Sequence, residues 1–207
     1  LFFLALFSAL ICFSMLIYAN SKCELLNNMN VWNYYAVLRL TNSIDLITQV
    51  YHVVILKSVT SYFITQEDAK ILANNSFKEM YQANYHLLRG GSFPAIFGFD
   101  EELDLLNYHD SCQMTGPTTN FHDAYKCASC DKLVATINDL LQGVILYPNS
   151  TSNYLDTFDL PQMMHLMNWH FWERCEKTVE RISQLADNQY NGMMTNVLVF
   201  LFIGVIL

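Results

Sequence analysis

Two long stretches of this chain lack the residues that ordinarily stop a helix. Glu24 to Ile64 contains neither proline nor glycine, and no proline follows Pro161. Because proline removes a backbone donor and glycine costs conformational entropy, their absence predicts two long helices. Basic residues are scarce: 11 Lys and Arg against 19 Asp and Glu, a formal charge of −8. Nucleic acid is therefore not an expected partner, since phosphate recognition needs clustered cations. Cytoplasmic loops gather Lys and Arg, so their scarcity favours a middle region outside the cytosol. Chemistry-bearing motifs are missing too. There is no GxSxG, HExxH, P-loop or dinucleotide fingerprint, so no enzyme, catalytic residue, metal or cofactor is expected. No internal repeat, flexible linker or low-complexity run divides the chain.

What is present begins with an uncharged apolar run, LFFLALFSALICFSMLIYA, at residues 1–19. Its length matches the roughly 20 residues that cross a bilayer as a helix. It reads as a transmembrane helix or as a signal sequence; Ile17-Tyr18-Ala19 resembles a cleavage site, but a basic start is missing. The other end, MMTNVLVFLFIGVIL, is also apolar, so 193–207 is expected to begin a second transmembrane helix. The chain lacks an initiating Met and stops inside this run, and reads as a piece of a longer protein. Residues 20–192 between the two ends suffice for one extracellular or lumenal domain with its own core.

Within that region Leu26, Val37, Leu40, Ile44, Ile47, Tyr51 and Val54 recur at a three-and-four spacing, the mark of a first amphipathic helix. The β-branched VYHVVILKSVTSYFIT leaves its second half open to a strand. Thr65, with Asp68 three residues on, is a helix start, and Ala73, Phe77, Met80, Asn84 and Leu87 carry the second helix to Arg89-Gly90-Gly91. About 90–120 is an irregular insertion around a short helix capped by Asp100. A third helix is expected from His122 to Tyr147, through Cys127, Cys130, Val134, Ile137, Leu141 and Val144. A fourth starts near Asp159, tolerates Pro161 in its first turn, and presents Met164, Phe171, Cys175, Ile182 and Leu185. The fold class is all-α: an antiparallel up-down-up-down four-helix bundle flanked by two transmembrane helices.

Candidate sites are few. CxxC at Cys127 and Cys130 lacks a second ligand pair for zinc. A hairpin centred near Thr151 brings Cys127 opposite Cys175, predicting a structural disulfide or a pair of buried thiols, with Cys130 as substitute if the register shifts. Cys23 and Cys112 form a second candidate pair. Asn74 and Asn149 head glycosylation sequons. His165 and His170 are five apart, a spacing that does not share one face of an α-helix, so they read as exposed or core-edge side chains. The aromatic groups around Trp32 and Trp169 fill core or line a pocket for a small apolar or cationic ligand. Arg39, Arg89, Arg174 and Arg181 are the only guanidinium groups and are expected on the surface.

With the run Leu1–Ala19, the stripe through Leu40, Ile44 and Ile47, and the stretch from Asp159 into Val197–Leu207, the chain resembles extracytoplasmic four-helix sensor domains of transmembrane receptors, including bacterial chemoreceptors and sensor kinases. Its abundance of Asn, Tyr and Phe is also similar to that of large multipass sensory proteins of unicellular eukaryotes. The resemblance implies that the first and last bundle helices continue into the membrane and that the last one carries a signal inward. It implies a bilayer as partner, a small ligand or protein as input, and a homodimer through the bundle as an open assembly. It assigns no ligand-binding residue. The alternatives are a non-signalling adhesion or assembly ectodomain of a multipass protein, and a secreted or lumenal protein held by its C-terminal helix.

Overall fold

Phe2–Ile55 forms a single helix, α1, in the computed structural model, which describes residues 2–56, 63–109, 125, 127–146 and 159–206. The apolar run at the N-terminus and the amphipathic stretch after it are thus one helix, as the missing proline and glycine require. Helices α2 (Gln66–Arg89), α3 (Glu101–Asn107), α4 (Cys130–Leu146) and α5 (Asp159–Leu166) follow; a π-helical turn (Met167–Phe171) then leads without a break into α6 (Trp172–Ile206). No strand occurs among the described residues. The β-branched VYHVVI end of α1 is helical, and residues 57–62 lie outside the described set.

Local chemistry sets the ends of these helices. The Thr65 side chain accepts from the Asp68 N–H at 3.1 Å, and Asp68 Oδ2 accepts in return from the Thr65 N–H at 3.1 Å, closing a capping box. Bonds from the Thr65 hydroxyl and then its backbone hold the Asp68 carboxyl below its ordinary pKa. Replacing Thr65 by Ala is expected to lower stability by about 1 kcal/mol, checked by urea unfolding. α2 ends at Gly90, whose φ of +74° suits glycine and where an added Cβ would meet Phe93 O at 2.7 Å. Asp100 caps α3 by accepting from the Leu103 N–H at 3.1 Å. α4 begins at Cys130 after a break at Cys127–Ser129; Tyr125 before the break is helical, and His122, the expected start, lies outside the described residues.

The described residues fall into two compact units, Leu1–Asn33 with Glu180–Leu207, and Tyr34–Val179. In the first, α1 and α6 run antiparallel: Lys22 Nζ donates to Gln189 Oε1 at 2.9 Å, and Asn196 Nδ2 to the Tyr18 hydroxyl at 2.5 Å. The Tyr18 and Phe200 rings lie 6.3 Å apart. Leu6, Phe7, Leu10, Phe13, Leu16 and Ile17 on α1, and Leu198, Val199, Leu201, Phe202 and Ile203 on α6, are exposed. α1 holds the one segment among the described residues that is long and apolar enough to cross a membrane.

The second unit has its core around α4, which packs on α5, the π-helical turn, α2 and α3. Leu133, Ile137 and Leu141 of α4 meet Met163, Leu166 and Phe171, with Ala73 and Met80 from α2 and Leu46 and Val50 from α1. Most members of the stripes expected on the second, third and fourth helices are buried, whereas Phe77, Cys127, Met164 and Leu185 are only partly so. On α1 the inward face is rotated from the expected stripe. It runs through Met29, Trp32, Ala36, Arg39, Ser43, Leu46, Val50 and Val53, while Val37, Ile44 and Tyr51 are exposed. The heptad spacing of that face is regular; its polar members Arg39 and Ser43 disguise it.

Candidate functional site

Two of the four arginines are buried, contrary to the surface placement expected from sequence. Arg39 on α1 and Arg174 on α6 are both 0% exposed. Arg39 Nη1 donates to Asn84 Oδ1 of α2 at 2.9 Å and to Asn107 Oδ1 of α3 at 3.0 Å. Its Nε and Nη2 find no oxygen or nitrogen acceptor among the described residues. The guanidinium also lies over the Phe171 ring, 6.0 Å from the centroid. Burial alone would lower the Arg39 pKa, but the neighbouring Cys175 and Cys130 sulfurs outweigh it and raise the value, so the group stays charged.

Arg174 serves a different need. The last carbonyls of a helix have no partner within it. Arg174 Nη1 donates to Leu106 O at 3.0 Å and Leu105 O at 3.4 Å, capping the C-terminus of α3 where cations are favoured. Asn107 joins the two arginines' surroundings. Its Nδ2 donates to Leu103 O at 2.9 Å and to the Thr178 hydroxyl of α6 at 3.2 Å, and Thr178 in turn donates to Arg174 O at 2.7 Å. α1, α2, α3 and α6 are thus pinned to one buried polar layer. The layer reaches the surface through Asn84, whose Nδ2 donates to Asp131 Oδ1 at 3.0 Å; Asp131 Oδ2 accepts from the exposed Arg89 at 2.9 Å.

No known family model, curated protein or solved structure matches this chain.

The cysteines are placed differently from the expected pairing. Cys175 and Cys130 are free buried thiols beside the polar layer, so the Cys127–Cys175 bond and its Cys130 substitute are not formed. Cys130 Sγ donates to Leu106 O at 3.6 Å, and α4 begins too late for Cys127 to share its inward face. Burial pushes the Cys175 thiol up to about 12, against the lowering effect of Arg39. Cys23 is free and exposed on α1, which removes the Cys23–Cys112 pair; Cys112 itself lies outside the described residues. Of the glycosylation candidates, Asn74 is exposed on α2 and accepts from Gln142 Nε2 at 3.4 Å, and Asn149 lies outside the described residues.

The histidines also depart from expectation. The π-helical turn inserts a residue between His165 and His170 and brings their rings to 5.3 Å, which an uninterrupted α-helix would not do. His170 is buried and lies edge-on to Tyr125 at 6.2 Å. No cluster of three metal-ligating side chains occurs among the described residues. The aromatic groups split in role: Trp32 and Phe171 are core, while Tyr34 and Trp169 are exposed.

The sequence signal for the arginine layer was available. Extending the spacing of Trp32, Ala36, Leu46 and Val50 through the chain lands on Arg39. The general rule that arginine is exposed hid it.

Proposed function

We propose that this chain is the extracytoplasmic input domain of a membrane-anchored receptor, with α1 and α6 leading toward the bilayer and α6 carrying the signal. The observation that carries this reading is the buried polar layer. It is held by Arg39 of α1 and by Arg174, Cys175 and Thr178 of α6. These are the two helices whose far ends bear the exposed apolar residues.

A charge in a core restricts helix register, because a slip of one helix leaves it without acceptors. An element of that kind has discrete arrangements rather than a continuous range, which is what a switch needs. Asn84 and Asp131 link the layer to solvent, where an input can bias it.

The test uses the full chain in nanodiscs with Cys12 and Cys23 replaced by Ser and spin labels at Lys22 and Gln189. Asn84→Leu, which removes one acceptor of Arg39, is expected to shift the label separation by about 1–2 Å or to add a second population. An unchanged distance distribution in a protein that keeps its helicity would favour the non-signalling adhesion or assembly ectodomain instead.

A further inference from the structure

Between α2 and α4 lies a cavity of about 600 Å³, within the range of small-molecule sites. Its two walls differ in chemistry. The α2 wall is aromatic: Phe77, Tyr81 and Tyr85 follow one another at four-residue intervals, along about 12 Å of helix. Tyr81 and Tyr85 are each 50% exposed, so these rings are not spent on the core. The α4 wall carries Asp131 and Asp139, eight residues apart and therefore on one face.

The two helices are antiparallel, since Arg89 meets Asp131 at 2.9 Å near one end and Asn74 meets Gln142 at 3.4 Å near the other. That register sets Asp139 opposite Phe77 and Tyr81. Arg89 neutralises Asp131, whereas no cation pairs with Asp139 among the described residues. The cavity therefore offers aromatic faces opposite an uncompensated carboxylate, and its single guanidinium is already engaged.

We infer that this cavity binds a small organic ammonium ion, its charge between Asp139 and the Tyr81 face and its apolar part along Phe77 and Val134. Aromatic faces attract cations through their quadrupole, and the carboxylate supplies a charge-assisted hydrogen bond. An anionic ligand would meet Asp131 and Asp139 with Arg89 already paired. The far end of the cavity is floored by Asn84, the residue that bonds both Arg39 and Asp131, so an occupant lies against the input end of the polar layer. The inference deepens the receptor reading by naming the class of its input, and its use in signalling rests on that reading.

Isothermal titration of the full chain in nanodiscs tests it with three probes of one shape: phenethylammonium, neutral phenethyl alcohol and anionic phenylacetate. Saturable binding of the cation is expected, at least about tenfold tighter than either control, the factor that corresponds to one charge-assisted bond. Asp139→Asn, at an exposed position that leaves the helix intact, is expected to weaken it about tenfold by the same loss. Tyr81→Leu is expected to weaken it about fivefold by removing the ring face. Absent cation binding, equal binding of the alcohol, preference for phenylacetate, or unchanged affinity in Asp139→Asn would each overturn the inference. Cation binding that leaves the Lys22–Gln189 label separation unmoved, together with an unmoved Asn84→Leu variant, keeps the site and removes the receptor role. Movement in Asn84→Leu without cation binding does the reverse.

Discussion

Asn107→Leu is expected to lower the unfolding free energy by about 2–3 kcal/mol, the cost of losing a hydrogen bond to a charged group and leaving buried partners unsatisfied. Asn107 Oδ1 is one of two oxygen acceptors of Arg39, and its Nδ2 bonds Leu103 O and Thr178. Leucine has the same branched shape and is larger, so the loss does not come from a void. Arg39 would keep only Asn84. The companion variant Arg39→Met removes the charge while filling the space. In Arg39→Met/Asn107→Leu both members of the pair are apolar, and much of the loss is expected to return. Urea unfolding followed by tryptophan fluorescence reads all four proteins. A double variant as unstable as the sum of the singles would show that Asn107 does not hold Arg39.

Alkaline pH is expected to unfold the second unit through Cys175. The thiol has an ordinary value of 9.0, and burial raises it to about 12. Above pH 9 the unfolded chain releases this proton while the folded chain keeps it. The unfolded state then binds fewer protons, so stability falls as pH rises. The slope approaches about 1.4 kcal/mol per pH unit between pH 9 and 12 for this one group. Other ionisable groups also contribute to the pH dependence, so the informative quantity is the difference from Cys175→Ala. That variant is expected to lose stability less steeply, and parallel curves from pH 8 to 11 would refute the assignment. Cys23 is exposed and is expected to react with thiol reagents throughout, whereas the buried Cys175 and Cys130 are expected to react only on unfolding.

These expectations rest on residues of unequal legibility. Thr65, Asp68 and Asp100 are readable because capping is local, involving a side chain and an amide three residues away. The stripes on α2 and α4 are readable because nearly all their buried members are apolar. α1 misleads because its inward face holds Arg39, Asn42 and Ser43, while Val37, Ile44 and Tyr51 face out. Hydropathy spacing follows apolar residues, and here some of them lie on the wrong side.

The pairing of cysteines fails for a related reason. A disulfide expectation needs register, and register across a hairpin depends on where α4 starts and on the residue inserted by the π-helical turn. Neither is local. The same turn brings His165 and His170 together against the spacing rule for α-helices.

The sequence by itself determined a helical fold class, the helix caps, the long α1, the long helical run from Asp159 toward the C-terminus, and an N-terminal segment apolar and long enough to cross a membrane. All of these follow from interactions within a few residues or from the absence of helix breakers. Only the tertiary structure decided that Arg39 and Arg174 are interior, that Asn84 and Asn107 accept from Arg39 and the Leu105 and Leu106 carbonyls from Arg174, and that the rings of α2 face Asp139 across a cavity. A buried charge is tolerated when distant residues supply its acceptors. Arg39 draws on residues 45 and 68 positions away, a dependence invisible to any local pattern.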